Sequence, residues 1–206
     1  MGKIDYRKEF GDWYTAAKTK PKWVVLPELN YLMIDGKGDP NTALEYQQAV
    51  EALYPLAYGL KFKIKRSSAV DYGVLPLEGL WWVPDMDLFS TSTKDDWLWT
   101  AMILQPPMVT RDLFIETLAE VKKKKNLPAL DKIRFEGYHE GEAAQVMHIG
   151  PYSEEEPTIL MLHEFIHSHG YTLQGKHHEI YLGDPRRSAP ERLRTIIRQP
   201  LGDKAD

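Results

Sequence analysis

Two groups of residues in this chain have the types and spacing to do chemistry. In the strand-like stretch EIYL, Glu179 and Tyr181 alternate with Ile180 and Leu182, so a carboxylate and a phenol share one side. The apolar pair is expected to face the helices, which leaves the acid and the phenol on the opposite face. A carboxylate set among rings loses hydration, which suits it to general-base work near neutral pH. The rings available to it are Trp82, Trp97 and Trp99 for stacking, with Tyr181 and Tyr152 as hydrogen-bonding hydroxyls. Such a box recognises flat, apolar or cationic molecules, because stacking and cation–π attraction both use ring faces.

The second group is His163, Glu164 and His167, which spell H-E-x-x-H on a helical pattern. That spacing puts two imidazoles on one helix face for zinc, with a Glu base between them. The longer metzincin form is absent, since Leu173 stands where its third histidine belongs. The apolar stripe of Ile159, Leu162 and Ile166 leaves His163 at its edge and His167 beyond it, toward water and away from a ligand cleft. No metal or other cofactor is assigned, and a zinc peptidase ranks third among the functional readings. His177 and His178 are adjacent, so on a strand they face opposite ways, and neither is given a catalytic role.

The elements that must position these residues repeat. AMILQP (Ala101 to Pro106) aligns with TIIRQP (Thr195 to Pro200), LWWVPD (Leu80 to Asp85) with EIYLGD (Glu179 to Asp184), and YLMIDG (Tyr31 to Gly36) with QVMHIG (Gln145 to Gly150). A helical pattern follows the first strand of each set, carried by Leu44, Val50, Leu53 and Leu56 in one and by Ile159, Leu162, Phe165 and Ile166 in the other. Strand, helix, strand, strand therefore occurs twice. Such a duplication is expected to give an α+β fold, a tandem module forming one antiparallel sheet with helices on one face, and a pseudo-twofold axis between the halves would bring Trp82, Tyr181, Glu179, Trp97 and Trp99 to one ligand cleft. The expected boundaries are an N-terminal extension over 1–22 and a domain over 23–206, with repeat one about 23–126 and repeat two about 127–206.

Within repeat one, Pro55 is expected to bend or stop the helix near Tyr54, and Gly59 to end it, as Gly170 ends its counterpart. KFKIKR alternates basic and apolar residues and reads as a half-buried strand inside an insertion. TRDLFIETLAEVKKKKN reads as a helix joining the halves, with Lys122 to Lys125 a solvated end that complements the helix dipole.

Composition bounds the partners. The 206 residues are 43% hydrophobic and 27% charged, ordinary for a globular chain. A net charge of -4 argues against a direct nucleic-acid binder, which needs a basic face. No apolar run approaches the roughly 18 residues that span a bilayer. The opening MGKIDYRKEF lacks the apolar core of a signal peptide, and there is no cysteine, so no membrane partner and a cytoplasmic location are expected.

The segments LPLEGLWWVPD, AQVMHIGPYSEEEPTI and HHEIYLGDPRRSAPERLRTIIRQP resemble the GyrI-like small-molecule-binding family, over nearly all of the chain from about Trp23 to Leu201. The resemblance implies the same tandem module and cleft. Members that serve as effector domains of multidrug-responsive regulators place a Glu from the matching late strand, here Glu179, against aromatic rings and lipophilic cations. Only some 22 residues precede the module here, too few for the roughly 50 of a DNA-reading domain. Stand-alone members carrying PLEGLWW are similar to enzymes that hydrolyse cyclopropane-bearing, DNA-alkylating genotoxins. Under that resemblance Glu179 positions or deprotonates water, Tyr181 or Tyr152 hydrogen-bonds the substrate carbonyl, and Trp82, Trp97 and Trp99 sandwich a flat substrate. Of these roles only that of Glu179 is carried over by position. The expected function is a detoxifying hydrolase, with a non-catalytic module that sequesters planar or cationic compounds, and acts on gyrase or a regulator, as the alternative. A protein partner is not identified by the sequence.

Overall fold

A computed structural model describes residues 3–86, 89 and 93–204. In chain order its main elements are α1 (Tyr6–Glu9), β1 (Lys22–Lys37), α2 (Leu44–Ser68), β2 (Leu77–Trp82), β3 (Leu98–Leu104), α3 (Arg111–Lys124), β4 (Arg134–Ile149), α4 (Glu156–Ser168), β5 (Tyr171–Leu173), β6 (His177–Tyr181) and β7 (Arg194–Lys204). The strands form one antiparallel sheet in the order β4-β1-β3-β2-β6-β7-β5, and β4 also pairs with β7. Strand, helix, strand, strand recurs as β1-α2-β2-β3 and β4-α4-β6-β7, with α3 between the two sets and the short β5 added to the second. Among the described residues no helix is long and apolar enough to cross a membrane.

Two compact units divide the chain. The first holds the N-terminal residues up to Glu9 together with Leu29–Leu75 and Trp81–Tyr138. Its frame is the pairing of β1 with β3, in which Leu32 lies opposite Ile103 and Ile34 opposite Ala101. Helix α2 is longer than its sequence pattern suggested, passing through Pro55 and Gly59 to Ser68. A proline inside a helix costs about 3 kcal/mol. Against that stand Leu53, Leu56 and Leu60, each wholly buried, and Ile64, each worth about 1.5–3 kcal/mol. KFKIKR is thus the last turns of α2 and not a strand, because Leu60 and Ile64 continue the i, i+4 stripe of Leu53 and Leu56. Gly59 ends nothing: a Cβ there would sit 2.8 Å from Thr117 Cγ2, so the glycine admits α3 against α2. The helix stops at Ala69, which takes the left-handed conformation at φ 56°. Helix α3 has the expected extent and is capped by Thr110, whose side chain accepts from the Leu113 N–H.

The second unit holds Phe10–Glu28, Pro76–Leu80 and the chain from His139 onward. Its core is Ala144 and Val146 of β4, Ile197 of β7, and Leu162 and Ile166 of α4. Gly170 follows the end of α4 at φ +80°, the left-handed residue that a helix C-terminus takes. Phe10–Glu28 is integral to this unit: Asp12, Trp13, Thr15 and Ala17 all present backbone carbonyls to donors on β4 and β7.

Candidate functional site

Strand β6, HHEIY, organises the second unit. Its ladder with β7 sets His178 opposite Arg198, Glu179 opposite Ile197, Ile180 opposite Ile196 and Tyr181 opposite Thr195. Directly paired residues of an antiparallel ladder point to the same side. Glu179 and Tyr181 therefore share the side of Ile197, whose side chain packs with Leu162 and Ile166 of α4. This corrects the expected orientation. The acid and the phenol look toward the helix, and Ile180 looks away from it. Alternation along a strand groups the residues of one face, but the ladder decides which face the helix covers.

On the helix side, His177, Glu179 and Tyr181 form a bonded row. The Tyr181 hydroxyl donates to Glu179 Oε2 at 2.8 Å, and His177 Nε2 lies 3.0 Å from Glu179 Oε1. A carboxylate only accepts, so that ring nitrogen carries the proton. Glu179 is 9% exposed and His177 2%. The Tyr152 ring meets Tyr181 edge to face, with centroids 5.5 Å apart at 71°. His163, on α4, belongs to the same surroundings: burial, reinforced by His177 and His167, brings it down to about 4, so it is neutral near pH 7. Its Nε2 is buried and has no hydrogen-bond partner among the described residues. His167 is exposed, as its place on the helix predicted. Among the described residues no three of His, Cys, Asp and Glu are arranged to hold a metal ion.

The other side of β6 carries a second, deeper array. His178 lies between two carboxylates, with Nδ1 2.7 Å from Glu140 Oε1 and Nε2 3.0 Å from Glu78 Oε2. Arg198 Nη1 donates to Glu140 Oε2 at 2.9 Å, Nε to Gln145 Oε1 at 2.8 Å and Nη2 to the Trp13 carbonyl at 2.7 Å. The Tyr14 hydroxyl donates to Glu78 Oε1 at 2.6 Å. Burial opposes the charge on His178, but the charge and hydrogen bond of Glu140, with the hydrogen bond of Glu78, outweigh it and raise the imidazole. With both ring nitrogens facing acceptors, His178 is an imidazolium. Burial likewise opposes ionisation of Glu140, yet His178 and Arg198 hold it down at about 2. Two anions thus meet two cations.

The three tryptophans named from sequence lie in the first unit. Trp97 and Trp99 belong to one aromatic cluster: Trp81 is 5.9 Å from Trp97 and 5.5 Å from Tyr46, and Tyr46 is 5.1 Å from Trp99. Phe89 stacks on Trp97 at 4.7 Å. Trp99 is wholly buried and lies flat over Gly36, where a Cβ would come within 2.2 Å of the indole. Trp82 is half-buried and alternates with Trp81, so it shares its side of β2 with Glu78. Sequence reasoning brought Glu179, Tyr181 and Tyr152 together and missed His177, His178, Glu78, Glu140 and Arg198. The i, i+2 spacing that paired Glu179 with Tyr181 pairs His177 with Glu179 equally well.

An uncharacterised conserved protein from Listeria innocua is similar to this chain, with 40% identity and a TM-score of 0.88, over 97% of this chain and all of its own. A hydrolase from the same organism has 38% identity and a TM-score of 0.83, again over 97% of this chain and all of its own. The C-terminal domain of EcmrR shares the fold alone, at 13% identity and a TM-score of 0.56 over 90% of this chain and 98% of its own. No curated protein matches the chain. The model of the GyrI-like small molecule binding domain matches residues 19–201. With nearly its whole length so matched, and with the doubled strand-helix-strand-strand order in its structure, the chain belongs to that family.

Proposed function

We propose that this protein is a hydrolase that adds water to the cyclopropane ring of planar, lipophilic alkylating compounds. The observation that carries the proposal is Glu179, a nearly buried carboxylate with each oxygen held by a donor, His177 on one and Tyr181 on the other. The full-length likeness to a Listeria innocua hydrolase at 38% identity supports a hydrolytic reading.

In the proposed reaction Glu179 takes a proton from water as the water oxygen bonds to a cyclopropane carbon. The ring C–C bond breaks, and its electron pair moves through the conjugated system onto the substrate carbonyl oxygen. Tyr181 gives its hydroxyl proton to that oxygen and recovers one from Glu179 across their 2.8 Å bond. The product is the substrate plus one water, and both side chains return to their starting state. Stabilising charge where it develops is commonly the largest part of such catalysis. Tyr152, packed on Tyr181, is the second candidate donor.

Incubation with an excess of a cyclopropane-bearing alkylator, followed by mass spectrometry, should find the water adduct at many equivalents per protein. Glu179→Gln should lower turnover by about 10² or more while leaving binding largely intact. The family's small-molecule-binding character supports a second reading, a sequestering module. Protection limited to one equivalent, with no adduct, would select it.

A further inference from the structure

We propose that His177 is a positioning residue for Glu179, fixing the carboxylate that abstracts the proton. The inference rests on the hydrolytic reading above and adds a residue to it. Three observations carry it. His177 Nε2 stands 3.0 Å from Glu179 Oε1, while Tyr181 occupies Oε2, so the carboxylate plane is defined by two donors. The histidine side chain is 3% exposed and that of Glu179 12%, so their contact is shielded from solvent and water competes little for it. Both residues project from one short strand at i and i+2, whose extended backbone fixes their separation and whose pairing with β7 anchors Glu179.

Neighbouring groups fit this role. Among the described residues, the imidazole meets Glu179 on β6, which Tyr181 also bonds, and acts through its charge on His163 of α4. His163 is neutral near pH 7, so it sets no second charge against the ring. A donor at Nε2 that keeps its proton throughout the cycle stabilises the ionised form of Glu179 without competing for the proton taken from water. A carboxylate free to swing would lose alignment with the attacking water, and misplacement of about 1 Å costs on the order of 10²-fold.

The test has two arms. In the first, steady-state turnover of the cyclopropane compound is compared for wild type, His177→Leu and His177→Gln, each checked for an unchanged fold by circular dichroism and thermal melting. His177→Leu should lower kcat about 10- to 100-fold with KM within about twofold, and His177→Gln, which keeps an N–H on that side, should recover most of the loss. Equal kcat in wild type and His177→Leu would overturn the proposal, as would equal losses in both variants. The second arm needs neither turnover nor a variant that folds: long-range ¹H–¹⁵N NMR of the wild-type histidine rings should find His177 protonated at Nε2. A ring bare at Nε2 would overturn the proposal whatever the turnover, whereas absent turnover with a protonated Nε2 would remove the hydrolase reading and leave the hold on Glu179 standing.

Discussion

The two faces of β6 hold the same kinds of residue and use them differently. On one, His177 meets the carboxylate of Glu179, whose side chain is 12% exposed; on the other, His178 lies between Glu78 and Glu140, which also accept from Tyr14 and Arg198. In the enclosed array the side chains of His178, Glu78, Glu140 and Arg198 are at most 2% exposed, so its bonds serve to hold strands together. The open row keeps its acid in partial contact with solvent. Adjacent histidines in one strand thus differ in role because the pleat sends them to opposite sides, and acid count alone does not mark a reactive site.

The comparison can be broken first at Arg198. Removing one member of a buried ion pair leaves the rest uncompensated, so Arg198→Leu should lose about 3–5 kcal/mol in urea unfolding. A loss under about 1 kcal/mol would mean that the array does not carry the charges assigned to it. Glu179→Gln, on the open face, should change stability by no more than about 1 kcal/mol even as turnover falls, since functional groups are seldom placed for stability. A large loss there would make the two faces alike.

The smallest expected effect is the dependence on pH. His178 is raised on folding, so its contribution is complete below the ordinary value of about 6.5 and is lost as pH climbs through its folded value. Glu140 is lowered, so its contribution is complete above about 4.5 and is lost as pH falls toward about 2. Because His163, held at about 4 in the folded chain, favours unfolding as pH falls below about 6.5, the urea midpoint should be highest near that value and decline on the alkaline side as His178 loses its proton. His178→Gln should abolish the alkaline decline, and a decline that persists in the variant would assign it elsewhere.

The sequence carries a good part of this fold. Six strands, three of the helices and the doubled order could be located because each rests on local periodicity, and Gly170 because a helix end makes a local demand. KFKIKR was misread because a short alternating run fits a strand and a helix equally well, and the deciding residues, Leu53 and Leu56, lie outside it. The array around His178 left no local trace: Glu78 is 100 residues from it and Glu140 38. Such partners meet only through strand order. The orientation of Glu179 was lost for the same reason, since alternation is written in one strand and the side that meets α4 in another. His177 was legible and passed over, because the two histidines were weighed against each other when each has its partner two residues away or across the sheet.

A strand slipped by a single position turns every side chain over. In β6 a slip that put Glu179 in the place of His178 would set a carboxylate where the imidazole now bonds Glu78 and Glu140. The enclosed bonds therefore act as a gauge against that threading: in the correct alignment a donor faces both acids, and in the slipped one an acceptor does. The interior ions, though remote from any substrate, are what deliver the reactive acid to its side of the sheet.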